Sequence, residues 1–70
     1  MKTIEITKEP VELYKILKFE GLVASGGEAK TFISNGQVRV NGQVETRKRK
    51  KIMAGDTIKF GNETFLIQRS

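Results

Sequence analysis

The residues of this chain able to do chemistry are cationic and polar rather than nucleophilic. There is no Cys and no His, which excludes thiol nucleophiles, zinc clusters and disulfides and leaves acid–base work to carboxylates alone. The eight acids are scattered among Lys-rich positions instead of being paired, and no metal-ligand spacing or phosphate-cradling Walker loop occurs. Glu28 and Asp56 have plainer roles, as a helix-cap partner and a turn residue. A non-enzyme without cofactor, metal or small-molecule substrate is expected. What remains is the stretch ETRKRKKI, in which Arg47, Lys48, Arg49, Lys50 and Lys51 run consecutively between Glu45 and Ile52. Beside it stand Ser25-Gly26-Gly27, and the polar residues Gln37, Arg39, Asn41 and Gln43 around an Asn41-Gly42 turn.

Five adjacent cations grip a polyanion well. Net charge is +5, from 13 Lys and Arg against 8 acids. Residues 1–35 carry five of each and residues 36–70 carry eight against three, so the whole excess lies in the second half. A localised excess attracts nucleic acid or another anionic surface, and salt weakens the attraction. A run that only guarded a sheet edge would need one or two lysines, and the nearest acids in sequence are Glu45 and Asp56. The same letters also spell a nuclear-import signal, a reading that implies no particular fold. If all five side chains met phosphates of a single strand, the log–log salt slope would be about −3.5, so fourfold more salt would weaken binding about a hundredfold. Phosphate contacts give affinity without base choice. Base edges would fall to Gln37, Arg39, Asn41 and Gln43.

These residues need elements to hold them. The KTIEI stretch at residues 2–6 alternates as a strand with Ile4 and Ile6 on one side. Pro10 opens a helix over about residues 10–20, with Leu13, Ile16 and Leu17 on one face and Gly21 as its stop. Ser25 and Glu28 have capping-box spacing, so a second helix spans about residues 26–35 and ends at Asn35-Gly36, after a linker of about four residues. From Gln37 the period is two. A three-residue loop, Val40 to Gly42 with Gly42 left-handed, pairs Val38 with Val44 and keeps both valines on the apolar side; a two-residue loop would turn Val44 outward. A further hairpin turns at Gly61-Asn62, with Ile58 facing Phe65 and Phe60 on their side.

Strict alternation through the basic run would point Lys48 and Lys50 into the core. Burying two unpaired ammonium groups is prohibitive in a domain that buries only about 60% of its unfolded surface. The chain is therefore expected to leave the sheet near Thr46 and return near Ile52, with the run in solvent. The result is an α+β fold, a two-helix hairpin packed on a small, mostly antiparallel β-sheet, in a single domain over residues 1–70. Phe32, Phe60 and Phe65 fall on apolar faces, and Tyr14 and Phe19 lie off the main helical face. With its aromatics mostly in the core, the chain suits folded RNA read by shape and phosphate better than a stacked single strand.

Leu13, Leu17, Gly21, Ser25, Ala29, Phe32-Ile33, the segment Gly36-Gln37-Val38-Arg39-Val40-Asn41-Gly42, and Ala54-Gly55-Asp56-Thr57-Ile58 together resemble the S-four RNA-binding domain. The likeness covers about residues 10–60. It implies the alpha-L arrangement of two helices on a compact sheet, and structured RNA as partner, ribosomal or tRNA-like, with the ribosome as one setting. In the family, RNA is met by the start of the second helix and the adjoining strand loops, which here carry Ser25, Lys30, Arg39 and the run from Arg47. The family usually has Ser-Arg at that helix start. This chain has Gly26 and Gly27 after Ser25, so the arginine contact is missing, while two backbone N–H groups remain for a phosphate. The chain resembles the small stand-alone members, and a cytoplasmic monomer is expected.

A second reading is a non-catalytic assembly factor whose basic loop grips an acidic protein or a ribonucleoprotein surface. Membrane association ranks last, because a basic amphipathic helix is needed and the first helix is charge-balanced.

Overall fold

The computed structural model describes residues 1–70. β1 (Lys2–Ile6) buries Ile4 and Ile6, as their alternation predicts. The next element departs from expectation. Val11–Glu12 is extended and forms β2, so α1 spans only Leu13–Phe19, three residues later than a helix opened by Pro10. The reason is long-range: β2 pairs antiparallel with β5 (Lys51–Ile52), which commits the backbone of Val11 and Glu12 to a strand ladder. Gly21, at φ +71, ends α1 with the Gly21 N–H donating to Lys18 and the Leu22 N–H to Leu17. Six residues, not four, then lead to α2 (Gly26–Ser34).

β3 (Val38–Val40), β4 (Gln43–Val44), β6 (Thr57–Phe60) and β7 (Glu63–Arg69) join β1 in a five-stranded sheet of order β1-β7-β6-β3-β4. Every pairing is antiparallel except β1 with β7, which brings the two ends of the chain side by side. Ile58 faces Phe65 across a two-residue turn at Gly61-Asn62, as read from the sequence.

The β3–β4 hairpin corrects the expected register. Arg39 pairs with Val44 and Val40 with Gln43, so the loop is the two residues Asn41-Gly42, both left-handed at φ +53 and +84. Val44 therefore shares the outer face with Arg39 and is 49% exposed, instead of joining Val38 in the core. The turn prevails because Asn41 is latched: its amide nitrogen donates to Asp56 Oδ1 at 3.0 Å, and its Oδ1 accepts from the Thr57 N–H at 2.9 Å. One exposed valine is a small cost beside such a turn.

The helices cover one face of the sheet. Leu13, Leu17, Ile33, Val38, Ile52, Ile58 and Ile67 are fully buried, each worth about 1.5–3 kcal/mol of apolar burial. Phe32 and Phe60 are half-buried at the margin of this core and meet edge to face, with centroids 5.2 Å apart. The buried set contains no polar residue, and no helix is long and apolar enough to cross a membrane.

Candidate nucleic-acid interface

The basic run leaves the sheet at Glu45, whose N–H donates to the Val38 carbonyl, and regains a strand at Lys51. Between them the chain turns back on itself, with the Lys50 N–H donating to Arg47 O at 3.2 Å. The expectation that the run lies outside the regular sheet and in solvent is met. What holds the loop was not foreseeable from local sequence. The first N–H groups of a helix have no intrahelical acceptor; in α1 the Leu13 N–H donates to Lys50 O at 2.9 Å and the Tyr14 N–H to Lys48 O at 3.1 Å. The loop backbone faces the helix end, with Arg47, Lys48, Arg49 and Lys51 exposed and Lys50 half-buried.

Acids sort the five cations into two kinds. Arg47 forks onto Glu45, with Nε donating to Oε2 at 3.0 Å, Nη2 to Oε1 at 3.2 Å and the backbone N–H to Oε2 at 3.0 Å. These bonds hold the Glu45 carboxyl at about 2, well below the usual carboxylate range, and raise Arg47. Arg49 Nη1 lies 3.7 Å from Glu12, which also meets Lys15 Nζ at 3.4 Å. Glu12 is thus a counter-charge that sequence distance concealed. Lys48, Lys50 and Lys51 form no ion pair, although Lys50 adds a smaller share to the field that lowers Glu45.

All five line an open concavity of about 650 Å³ together with Thr46 and Ser34. Ser34 is the last residue of α2, so the helix leads directly to the loop. Gly27, Lys30, Thr31 and Ser34 recur at helical spacing on one side of α2. At the far end of that stripe Ser25 caps the helix, its Oγ accepting from the Glu28 N–H at 3.1 Å. The Glu28 carboxylate accepts from the Ala24 N–H, at 3.0 Å, one residue beyond the capping-box target, the Ser25 N–H. A side chain at Gly26 would meet Tyr14 and Lys18 only at ordinary contact distance, 3.8 and 3.9 Å, so the position is open. Lys30 Nζ stands 4.9 Å from the centre of the Tyr14 ring.

The structure thus brings Ser25, Gly26, Gly27, Lys30 and the run from Arg47 to Lys51 onto one side of the molecule. Arg39 is elsewhere: between buried Val38 and Val40 it points from the opposite face of the sheet, its Nη1 3.4 Å from the Gly42 carbonyl. Asn41 spends its amide on the latch to Asp56 and Thr57. Gln37 is exposed where α2 passes into β3, and Gln43 is exposed on β4. Sequence reasoning passed over Ser34, Thr46 and Tyr14. The α2 periodicity already pointed to Ser34, whereas the nearness of Tyr14 to Gly26 and Lys30 depends on how the helices pack.

Comparison with protein-family models matches residues 4–68 to the family described as S4 domain. The chain belongs to the S4 domain family. This S4 domain is 51% identical over 68 residues to the "Putative RNA-binding protein YbcJ" of Escherichia coli K12, covering 96% of this chain and 97% of that one. It is 36% identical over 57 residues to the "Probable ribosome maturation protein RlbA" of Bacillus subtilis, over 81% and 80% of the two chains. The solution structure of E. coli YbcJ, whose title describes an αL motif involved in RNA-binding, superposes with a TM-score of 0.72 at 46% identity, covering 97% of this chain and 87% of that one. The alpha-L architecture implied by the family resemblance is therefore the fold of this S4 domain.

Proposed function

We propose that this S4 domain is a non-catalytic module that binds structured RNA through a single face. That face runs from the Ser25-Gly26-Gly27 start of α2, along Lys30 and Ser34, to the basic loop Arg47–Lys51. One observation carries the reading: three lysines without any carboxylate partner converge with two held arginines around an open concavity at the end of that stripe. Cations left unneutralised in so small a domain repel one another, and phosphates relieve that repulsion. The glycine N–H groups at the first turn of α2 offer a second phosphate position. Ribosomal RNA is the class favoured, because a relative that this chain matches over most of its length is named for ribosome maturation. Arg39 and Asn41, expected from the sequence to read bases, are left out: one faces the other side of the sheet and the other is latched.

Fluorescence anisotropy with a ribosomal hairpin RNA tests this across a salt series. Replacing Lys48, Lys50 and Lys51 by Gln is expected to weaken binding and to flatten the log–log salt slope by about 0.7–0.9 for each lost contact. An unchanged slope removes the loop from the interface. Tight binding of an acidic protein by the same loop, with no RNA binding at moderate salt, would favour an assembly factor instead.

A further inference from the structure

A second surface lies along the free edge of β1 and meets the basic loop only at Lys51. In the parallel pairing of β1 with β7, the Ile6 carbonyl accepts from the Ser70 N–H, and the register runs Lys2–Phe65 through Ile6–Arg69. Because backbone groups alternate sides along a strand, Ile4 and Ile6 turn theirs to β7, and Thr3 and Glu5 present N–H and C=O outward. β1 is the last strand of its sheet, so these groups have no partner strand. Beside them runs a groove of about 450 Å³ between β1 and α1, with Ile4, Ile6, Val11, Ile16 and Phe19 among its walls. Phe19 is 70% exposed, the largest uncovered apolar side chain next to that edge.

The groove also has an electrostatic direction. Lys51 pairs with Glu12 just ahead of α1 and Lys8 lies in the link from β1 to β2, whereas Glu20 follows the last residue of α1, so cations mark one end and a carboxylate the other, and none of the three has an ion-pair partner. The carboxylates of Glu5, Glu12 and Glu20 stand among its walls beside three lysines, which makes it a poor place for RNA. We infer that the β1–α1 groove binds an extended peptide segment of a protein partner, added to β1 as a sixth strand. Its backbone pairs with Thr3 and Glu5, its apolar side chains cover Phe19 and Val11, and it carries acid toward Lys8 and a cation toward Glu20. Strand addition of this kind draws affinity from the main chain and selectivity from alternate side chains. The partner runs antiparallel, the commoner pairing, with its acidic end first.

The test uses the full chain and a capped peptide, Glu-Glu-Thr-Val-Thr-Val-Thr-Lys, followed by amide NMR. Saturable shifts are expected at Thr3, Glu5, Val11 and Phe19, together with slowed exchange of the Thr3 and Glu5 amides. The peptide with reversed charge order should bind about tenfold more weakly. Glu5→Pro removes an outward N–H that β7 does not use and should weaken binding about tenfold while leaving hairpin-RNA affinity unchanged. If that variant fails to fold, Phe19→Lys gives the same readout from the apolar side. Absence of saturable shifts with either peptide overturns the proposal, as does equal binding by the variant. RNA shifting the same amides would overturn it too, whether or not the basic loop binds RNA.

Discussion

The Arg47–Glu45 fork is the best-defined contact in the basic loop, and its pH dependence follows from one shift. The Glu45 carboxyl stands at about 2 in the folded chain against an ordinary 4.5. A depressed carboxyl stabilises the fold fully above its unfolded value, and that contribution disappears as pH falls through the folded one. The pair should therefore persist to about pH 2. Carbon NMR of the Glu45 carboxyl is expected to titrate there, and Arg47→Gln should move the midpoint up toward 4.5. A midpoint that stays low in the variant would assign the shift to something other than Arg47. Asn41 is the other residue with a decisive role. Replacing it by Ala removes the bonds to Asp56 and Thr57 and places a residue with a Cβ but no side-chain amide at φ +53. A loss of about 1–3 kcal/mol in a denaturant melt is expected, with RNA affinity at saturating fold unchanged. A selective loss of affinity would make it a base reader after all.

Among the elements, α2 bears most directly on the interface, and its first turn can be tested by gain rather than loss. Gly26 has ordinary backbone, and a Cβ there would touch Tyr14 and Lys18 only at ordinary contact distance; the family resemblance places at this position the arginine that usually follows the serine. Gly26→Arg should raise hairpin-RNA affinity several-fold and steepen the salt slope by about 0.7–0.9, one added phosphate contact. A variant that folds but shows wild-type slope would place the helix start outside the interface. α2 was also the element most legible in the sequence, because its cap, its apolar spacing and its Gly36 stop are all local signals. α1 was legible in type but not in extent, since Val11 and Glu12 are claimed by Lys51 and Ile52 some forty residues away. The β3–β4 register was misjudged for a related reason. Apolar alternation argued for a buried Val44, but Asn41-Gly42 geometry and a latch to Asp56 decided otherwise, and neither the latch nor its partner is visible in a local window. The same holds for Glu12 beside Arg49, a contact made by folding. The run itself was legible as a loop because burying alternate lysines is forbidden at any register.

At the scale of the molecule, one apolar cluster of 14 residues joins β1 at one end of the chain to Phe65 and Ile67 near the other. A radius of gyration of 10.6 Å matches the about 11 Å of a compact chain of this length. No part of the proposed RNA-binding face has a core of its own: the loop rests on the N-terminus of α1, and α1 rests on the sheet through Leu13, Ile16 and Leu17. Total stability for 70 residues is about 3.5–10 kcal/mol. Ile67→Ala, which opens a cavity beneath β7, should cost about 2–5 kcal/mol and bring much of the population near unfolding at ambient temperature. Loss should be cooperative. Far-UV circular dichroism and the fluorescence of Tyr14, the only tyrosine, are expected to melt together, the first reporting the backbone and the second the contact between α1 and α2. On the proposed function hairpin RNA would bind the folded chain and not the unfolded one, so a hundredfold excess over Kd should restore about 2.7 kcal/mol and raise Tm in both signals equally. If RNA instead stabilised the Tyr14 signal while the sheet melted as before, the helices and loop would form a separable unit. The loop could then not owe its shape to the common core.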